Sequence, residues 1–220
     1  MPETNPYRLP RTVLPRRYDL RLVPDLEAAT FSGTVAVEVD VVEAVAEVVL
    51  NAIELEVDEA WIDVDGTRRD VGVALDPELE RATLTLDGDP LPPGAATVHL
   101  AFRGVLNDKL RGFYRSTFVD DDGTERVIAT TQFEATDARR AFPCWDEPDF
   151  KARFAITLHL DDDLHAVSNA AIVADEVLDG QRRVRFAETM TMSTYLVAFI
   201  VGPLEVTEAI DVAGTPLRLL

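Results

Sequence analysis

The chain of 220 residues contains no H-E-x-x-H pair, and its only histidines are His99, His159 and His165. None of them has metal-ligand spacing to another histidine or cysteine, so residues 1–220 read as holding no zinc site of their own. Cys144 is the single cysteine. It excludes an intramolecular disulfide and gives no sign of an oxidising compartment. Between Pro143 and Trp145 it reads as a buried hydrophobe rather than a nucleophile. Lysine occurs only at Lys109 and Lys151, and the net charge is −19. That balance excludes nucleic acid as a partner, because such binding draws on a basic surface. The longest apolar run, Tyr195 to Val201, is far too short to span a bilayer. The N-terminal stretch MPETNPYRLPRTVLPRRYDL has no signal-type apolar core. The expectation is a soluble, cytoplasmic chain with no membrane partner. No G-x-S-x-G elbow or phosphate-cradling glycine loop stands out. The acidic runs Asp120–Asp122 and Asp161–Asp163 do not fit a calcium loop and read as solvated turns.

What is present is strand pattern. Apolar residues make up 47% of the chain, enough for a sizeable core. Val35, Val37, Val39 and Val41 alternate with Ala36, Glu38 and Asp40; Val98, Leu100 and Phe102 alternate with Thr97, His99 and Ala101. Phe154, Ile156, Leu158 and Leu160 repeat the pattern, each run reading as a half-buried strand. On that parity His99 and His159 face solvent, and His165 falls in a turn beside Asp161–Asp163. Asp-Gly pairs at 65–66, 87–88, 122–123 and 179–180 predict hairpin turns. Helix signals reduce to one short turn near 136–141, with Thr136 as N-cap and Pro143 beyond its end. The fold class is all-β: large antiparallel sheets of a dozen or more strands, packed as a sandwich or strongly curved. Leu204 to Ile210 reads as a strand, Asp211 to Thr215 as a turn, and PLRLL as a returning strand. The expected division is one β domain over 1–205, with 206–220 beginning a connection toward a further domain.

The most informative segment is TTQFEATDARRAFPCWDEPDFKARF, residues 130–154. At strand spacing Gln132 and Glu134 share one face while Phe133 turns away. An amide beside a carboxylate suits a polar, positively charged ligand group. Asp137, Arg139 and Arg140, followed by Asp146 and Glu147, flank the apolar block Ala141–Trp145. They predict an ion-pair network that fixes the long connection and holds the Gln132/Glu134 strand.

These blocks carry a resemblance. LPRTVLPRRYDLRLVPDL at 9–26, FSGTVAVEV at 31–39, LRGFYRS at 110–116, the 130–154 segment and MSTYLVAFIVG at 192–202 occur in order over most of the chain. Together they resemble the N-terminal domain of the aminopeptidase N family of zinc metallopeptidases, the gluzincin aminopeptidases. The resemblance implies a saddle-like β domain followed by a thermolysin-like domain that carries zinc, H-E-x-x-H and G-x-M-E-N. It also implies that Glu134 binds the α-ammonium of a peptide and that Gln132 lines the pocket for the first side chain. On that reading the partners are a peptide N-terminus and the protein's own catalytic domain. The parent protein is then a metalloaminopeptidase with zinc as its cofactor, while this chain supplies no catalytic residue and no metal ligand and is inactive alone. The alternative is a stand-alone, non-catalytic β module that binds peptides or a partner protein.

Overall fold

The computed structural model describes residues 8–219. Along the chain it runs β1 (Val13–Asp25), β2 (Thr30–Val41), β3 (Glu47–Asn51), β4 (Leu55–Val64), β5 (Thr67–Asp76) and β6 (Arg81–Leu86). There follow β7 (Gly94–Val105), β8 (Gly112–Val119), β9 (Glu125–Gln132), β10 (Arg153–Asp161) and β11 (His165–Ser168). The last strands are β12 (Ile172–Leu178), β13 (Gln181–Phe186), β14 (Phe199–Gly202), β15 (Ile210–Val212) and β16 (Thr215–Leu217). Helical structure among the described residues is two single 3-10 turns, Ala138–Arg140 and Thr194–Leu196. Strand pattern therefore governs the whole fold, as the alternating valines and leucines dictate.

A ten-stranded sheet has the order β12-β13-β10-β1-β2-β7-β4-β5-β6-β3, a four-stranded sheet the order β11-β14-β9-β8, and β15 and β16 form a two-stranded ribbon. One pairing departs from the antiparallel expectation: β1 lies parallel to β10. These strands are separated by more than half of the chain, and only a long connection can bring distant strands parallel. Asp65-Gly66 and Asp179-Gly180 turn their hairpins with positive φ at both residues, as a type I′ turn requires. Asp122-Gly123 closes a longer hairpin in which the Gly123 amide donates to the Asp120 carbonyl at 2.9 Å. Asp87-Gly88 does not form a hairpin, because β6 pairs with β3 and β5 while β7 pairs with β2 and β4.

The core lies between the large and small sheets. Phe31, Phe113, Phe199, Phe133, Phe142, Tyr18 and Phe154 form a continuous series of ring contacts, with neighbouring centroids 4.7–6.2 Å apart. Most meet edge-on or tilted, the arrangement the ring quadrupole favours. Tyr18 is fully buried, and its hydroxyl accepts a hydrogen bond from the Trp145 amide at 3.1 Å. Burial pushes the Tyr18 phenol well above its ordinary pKa, so it stays neutral.

Three local expectations change. His99 is half-buried, stacked on Trp61 at 4.7 Å and 2°, because β4 places that indole directly opposite it. Burial holds its imidazole below the usual histidine range. His165 opens β11 rather than sitting in the turn, which closes before it. Residues 204–209 carry no strand; the ribbon begins at Ile210, turns at Ala213-Gly214 and is exposed throughout.

Tyr18→Phe keeps the ring and deletes the acceptor, leaving the Trp145 amide unpaired in the core. Loss of about 1–3 kcal/mol is expected, read as a lower denaturant midpoint with unchanged slope.

Candidate functional site

β9 delivers Gln132 at the rim of the small sheet and ends there; Glu134 follows in a turn, not in the strand. The expected division of faces nevertheless holds. Gln132 and Glu134 are both exposed, while Phe133 between them is 2% exposed. The Phe133 ring meets Phe142 at 6.0 Å and Phe199 at 5.9 Å, both edge-on. Burying that ring drives the flanking polar side chains outward. The Glu134–Ala135 peptide bond is cis.

Beneath the rim the chain is fastened by charge. The Asp137 amide donates to the Phe133 carbonyl at 2.9 Å, closing the turn that carries Glu134. Asp137, not Thr136, stands at the N-cap of the 3-10 turn, and its side chain does not cap. Its carboxylate instead accepts from Arg140 Nε at 2.7 Å and Arg111 Nη2 at 3.1 Å. Arg139 Nε donates to Asp146 Oδ2 at 3.0 Å, and Arg139 Nη1 to Glu80 Oε2 at 2.9 Å. Arg140 also pairs with Glu54 at 2.8 Å. Asp146 is 1% exposed and takes a further hydrogen bond from Thr194 Oγ1 at 2.9 Å. Burial raises its carboxyl above the ordinary value against the pull of Arg139. The network expected from 137–147 is present, but Glu147 leaves it to pair with Arg8 Nε at 2.7 Å and to accept from the Leu9 amide.

Several of the residues that set this geometry carry no motif. Glu80 and Glu54 come from distant turns, and only the folded pairing brings them to the arginines. Gly112 is the Cα partner of Gln132 across β8 and β9. Its φ is +69°, and a Cβ there would stand 2.8 Å from Arg140 Cβ. The missing side chain lets the arginine layer pack directly under the strand that ends at Gln132. A positive φ at glycine is the one available signal, and sequence does not display it.

On its outer face the small sheet carries Tyr114, Ile128, Thr130, Ile200 and Val167, all half-buried, beside Gln132. Gly202 contributes to that face by absence, since a Cβ would lie 2.5 Å from Ile128 Cγ2. Among the described residues no three histidine, cysteine, aspartate or glutamate side chains gather closely enough to hold a metal ion. His99 lies in the large sheet and His165 in the small one. No helix among the described residues is long and apolar enough to cross a membrane.

A family model for the peptidase M1 N-terminal domain matches residues 14–196. The chain belongs to the peptidase M1 N-terminal domain family. Aminopeptidase M1 of Arabidopsis thaliana is 44% identical over 96% of the chain and 24% of its own length. Aminopeptidase M1-A of Oryza sativa subsp. japonica is 46% identical over 96% of the chain and 24% of its own. The puromycin-sensitive aminopeptidase of Caenorhabditis elegans is 38% identical, over 96% and 23%. This M1 N-terminal domain therefore spans about a quarter of the length of the curated relatives it matches.

Two outcomes test the site's framework. Gly112→Ala must hold an alanine at positive φ, at a cost of about 1–2 kcal/mol before Arg140 moves; both the melting temperature and the Gln132 amide resonance should shift. Cys144 is fully buried, and burial pushes its thiol well above the ordinary pKa. The native protein should therefore resist a disulfide reagent near neutral pH and release one full equivalent of reactive thiol on unfolding.

Proposed function

We propose that this domain marks where a peptide begins, as the substrate-recognition part of a zinc-dependent aminopeptidase. Glu134 receives the free α-ammonium, and Gln132 lines the space for the first side chain. The observation that supports this most directly is the rim itself. Two polar side chains stand exposed on either side of a ring clamped in the core. An ammonium gains most from a carboxylate whose position is already fixed, because little ordering remains when the ligand arrives. Anchoring the first amine also restricts a neighbouring catalytic group to the first peptide bond. The names of the relatives, all aminopeptidases, agree with this reading.

The hydrolytic chemistry belongs to sequence outside this chain, where zinc would be held. The half-apolar outer face of the small sheet is the surface against which that catalytic domain would dock, which would exclude water around Glu134. Residues 206–220 would begin the connection to it. A cytoplasmic setting fits a chain whose one cysteine is buried and unpaired.

In the full-length protein, Glu134→Ala should lower kcat/KM on an aminoacyl reporter by at least about a hundredfold, since it leaves a bound ammonium without its counter-charge. Glu134→Gln, which keeps the shape, should lose nearly as much. Near-normal kcat/KM in both variants would overturn the assignment.

A further inference from the structure

The ten-stranded sheet presents a second polar surface on the face turned from the core. There Thr157 of β10 stands opposite Arg185 of β13 on one side and opposite Arg21 of β1 on the other. Neighbouring strands lie about 4.8 Å apart, so the two arginine backbones flank the threonine at about 10 Å from each other. All three residues line one groove of about 580 Å³, together with His159 and Arg183.

The charge accounting of this groove is uneven. Arg17 engages Glu188, Glu38 and Asp19; Arg183 engages Glu176; Arg153 engages Glu188. Arg21 meets only Asp19, at 3.4 Å. Every carboxylate that lines the groove is thus already taken by an arginine other than Arg185. Among the described residues Arg185 has no ion-pair or side-chain hydrogen-bond partner, and neither has the Thr157 hydroxyl, although Thr157 is 8% exposed. In a chain of net charge −19, the groove thus sets an unneutralised guanidinium beside a hydroxyl that has no protein partner and is open to a ligand. A guanidinium offers a planar fork of N–H donors matched to two oxygens of one anionic group, and the hydroxyl can donate a third bond. With Asp19, Glu176 and Glu188 each paired to another arginine, the charge left without a counter-ion in the groove is that of Arg185.

We propose that this face binds a small oxyanion, a phosphoryl or carboxylate group, held between Arg185 and Arg21 over the Thr157 hydroxyl. His159 borders the same groove, and its imidazole is held below the ordinary range by burial and by Arg183 and Arg21. A bound anion reverses part of that effect by favouring the imidazolium.

The test is an NMR titration of the chain at low ionic strength, where such contacts are least screened, with inorganic phosphate and, separately, acetate. Saturable shifts of the Thr157 amide and Arg185 Nε are expected, with a dissociation constant of about 1 mM or tighter, together with a rise in the His159 titration midpoint. Arg185→Gln should weaken binding at least about tenfold, and Thr157→Val by a smaller factor. Arg115→Gln, on the other sheet, should leave it unchanged. Saturation by phosphate alone assigns a phosphoryl ligand, and comparable saturation by acetate assigns a carboxylate. Shifts that never saturate, or that are equal in wild type and in folded Arg185→Gln and Thr157→Val, overturn the proposal.

Discussion

The buried pairing of Arg139 with Asp146 is the contact on which the rest of the structure turns. Asp146 lies almost wholly out of water, and a carboxylate so placed is tolerable only with close compensation. Arg139 supplies it, and in doing so reaches Glu80 in the turn between β5 and β6. The Asp146 amide donates to Asn51 Oδ1 at 3.1 Å, and backbone bonds join Asn51 to Cys144 in both directions. Thr194 ties the same carboxylate to the 3-10 turn that leads into β14. One charge pair thus fastens the 138–146 connection to an edge of the large sheet and to the chain entering the small one. An apolar residue at 146 could fill space, but it could not hold three separate segments in register.

That fastening explains how a turn residue can be as well placed as a strand residue. Glu134 has no ladder partner, yet the backbone on either side of it is fixed. Upstream, Gln132 is paired with Gly112 and Phe133 is wedged between Phe142 and Phe199. Downstream, the Asp137 amide closes onto the Phe133 carbonyl while its carboxylate is held by Arg140 and Arg111. The exposed side chain therefore stands on a short segment pinned at both ends. Such fixing at both ends is what an exposed loop side chain ordinarily lacks.

Sequence revealed whatever depends on neighbours along the chain and little that depends on neighbours across it. The parity of β2, β7 and β10 was readable because water touches one face of each strand and the core the other. The outward exposure of Gln132 and Glu134 on either side of Phe133 was readable for the same reason, although the strand ends before Glu134. The parallel joining of β1 to β10 was hidden, as was the failure of Asp87-Gly88 to make a hairpin, since both follow from which distant strand wins the pairing. His99 looked solvated because its cover, Trp61, comes from a strand 38 positions earlier. Glu80 carries no local signal: nothing nearby in the chain distinguishes a turn glutamate that closes an arginine pair from one that faces water.

The strongly perturbed groups bear on what the chain does. Strong perturbation is often a mark of catalysis, but here Tyr18 and Cys144 owe it to complete burial, where no ligand can reach them. Their shifts are the consequence of filling the space between two sheets, not a tuning of acid or base strength. The accessible polar chemistry instead lies on the rim at Gln132 and Glu134 and on the outer face around Arg185. Both are places where side chains can hold a ligand by charge and hydrogen bonding. On the proposed function, such a domain would contribute by fixing where a ligand sits, and what Glu134 would supply is a carboxylate in a fixed position.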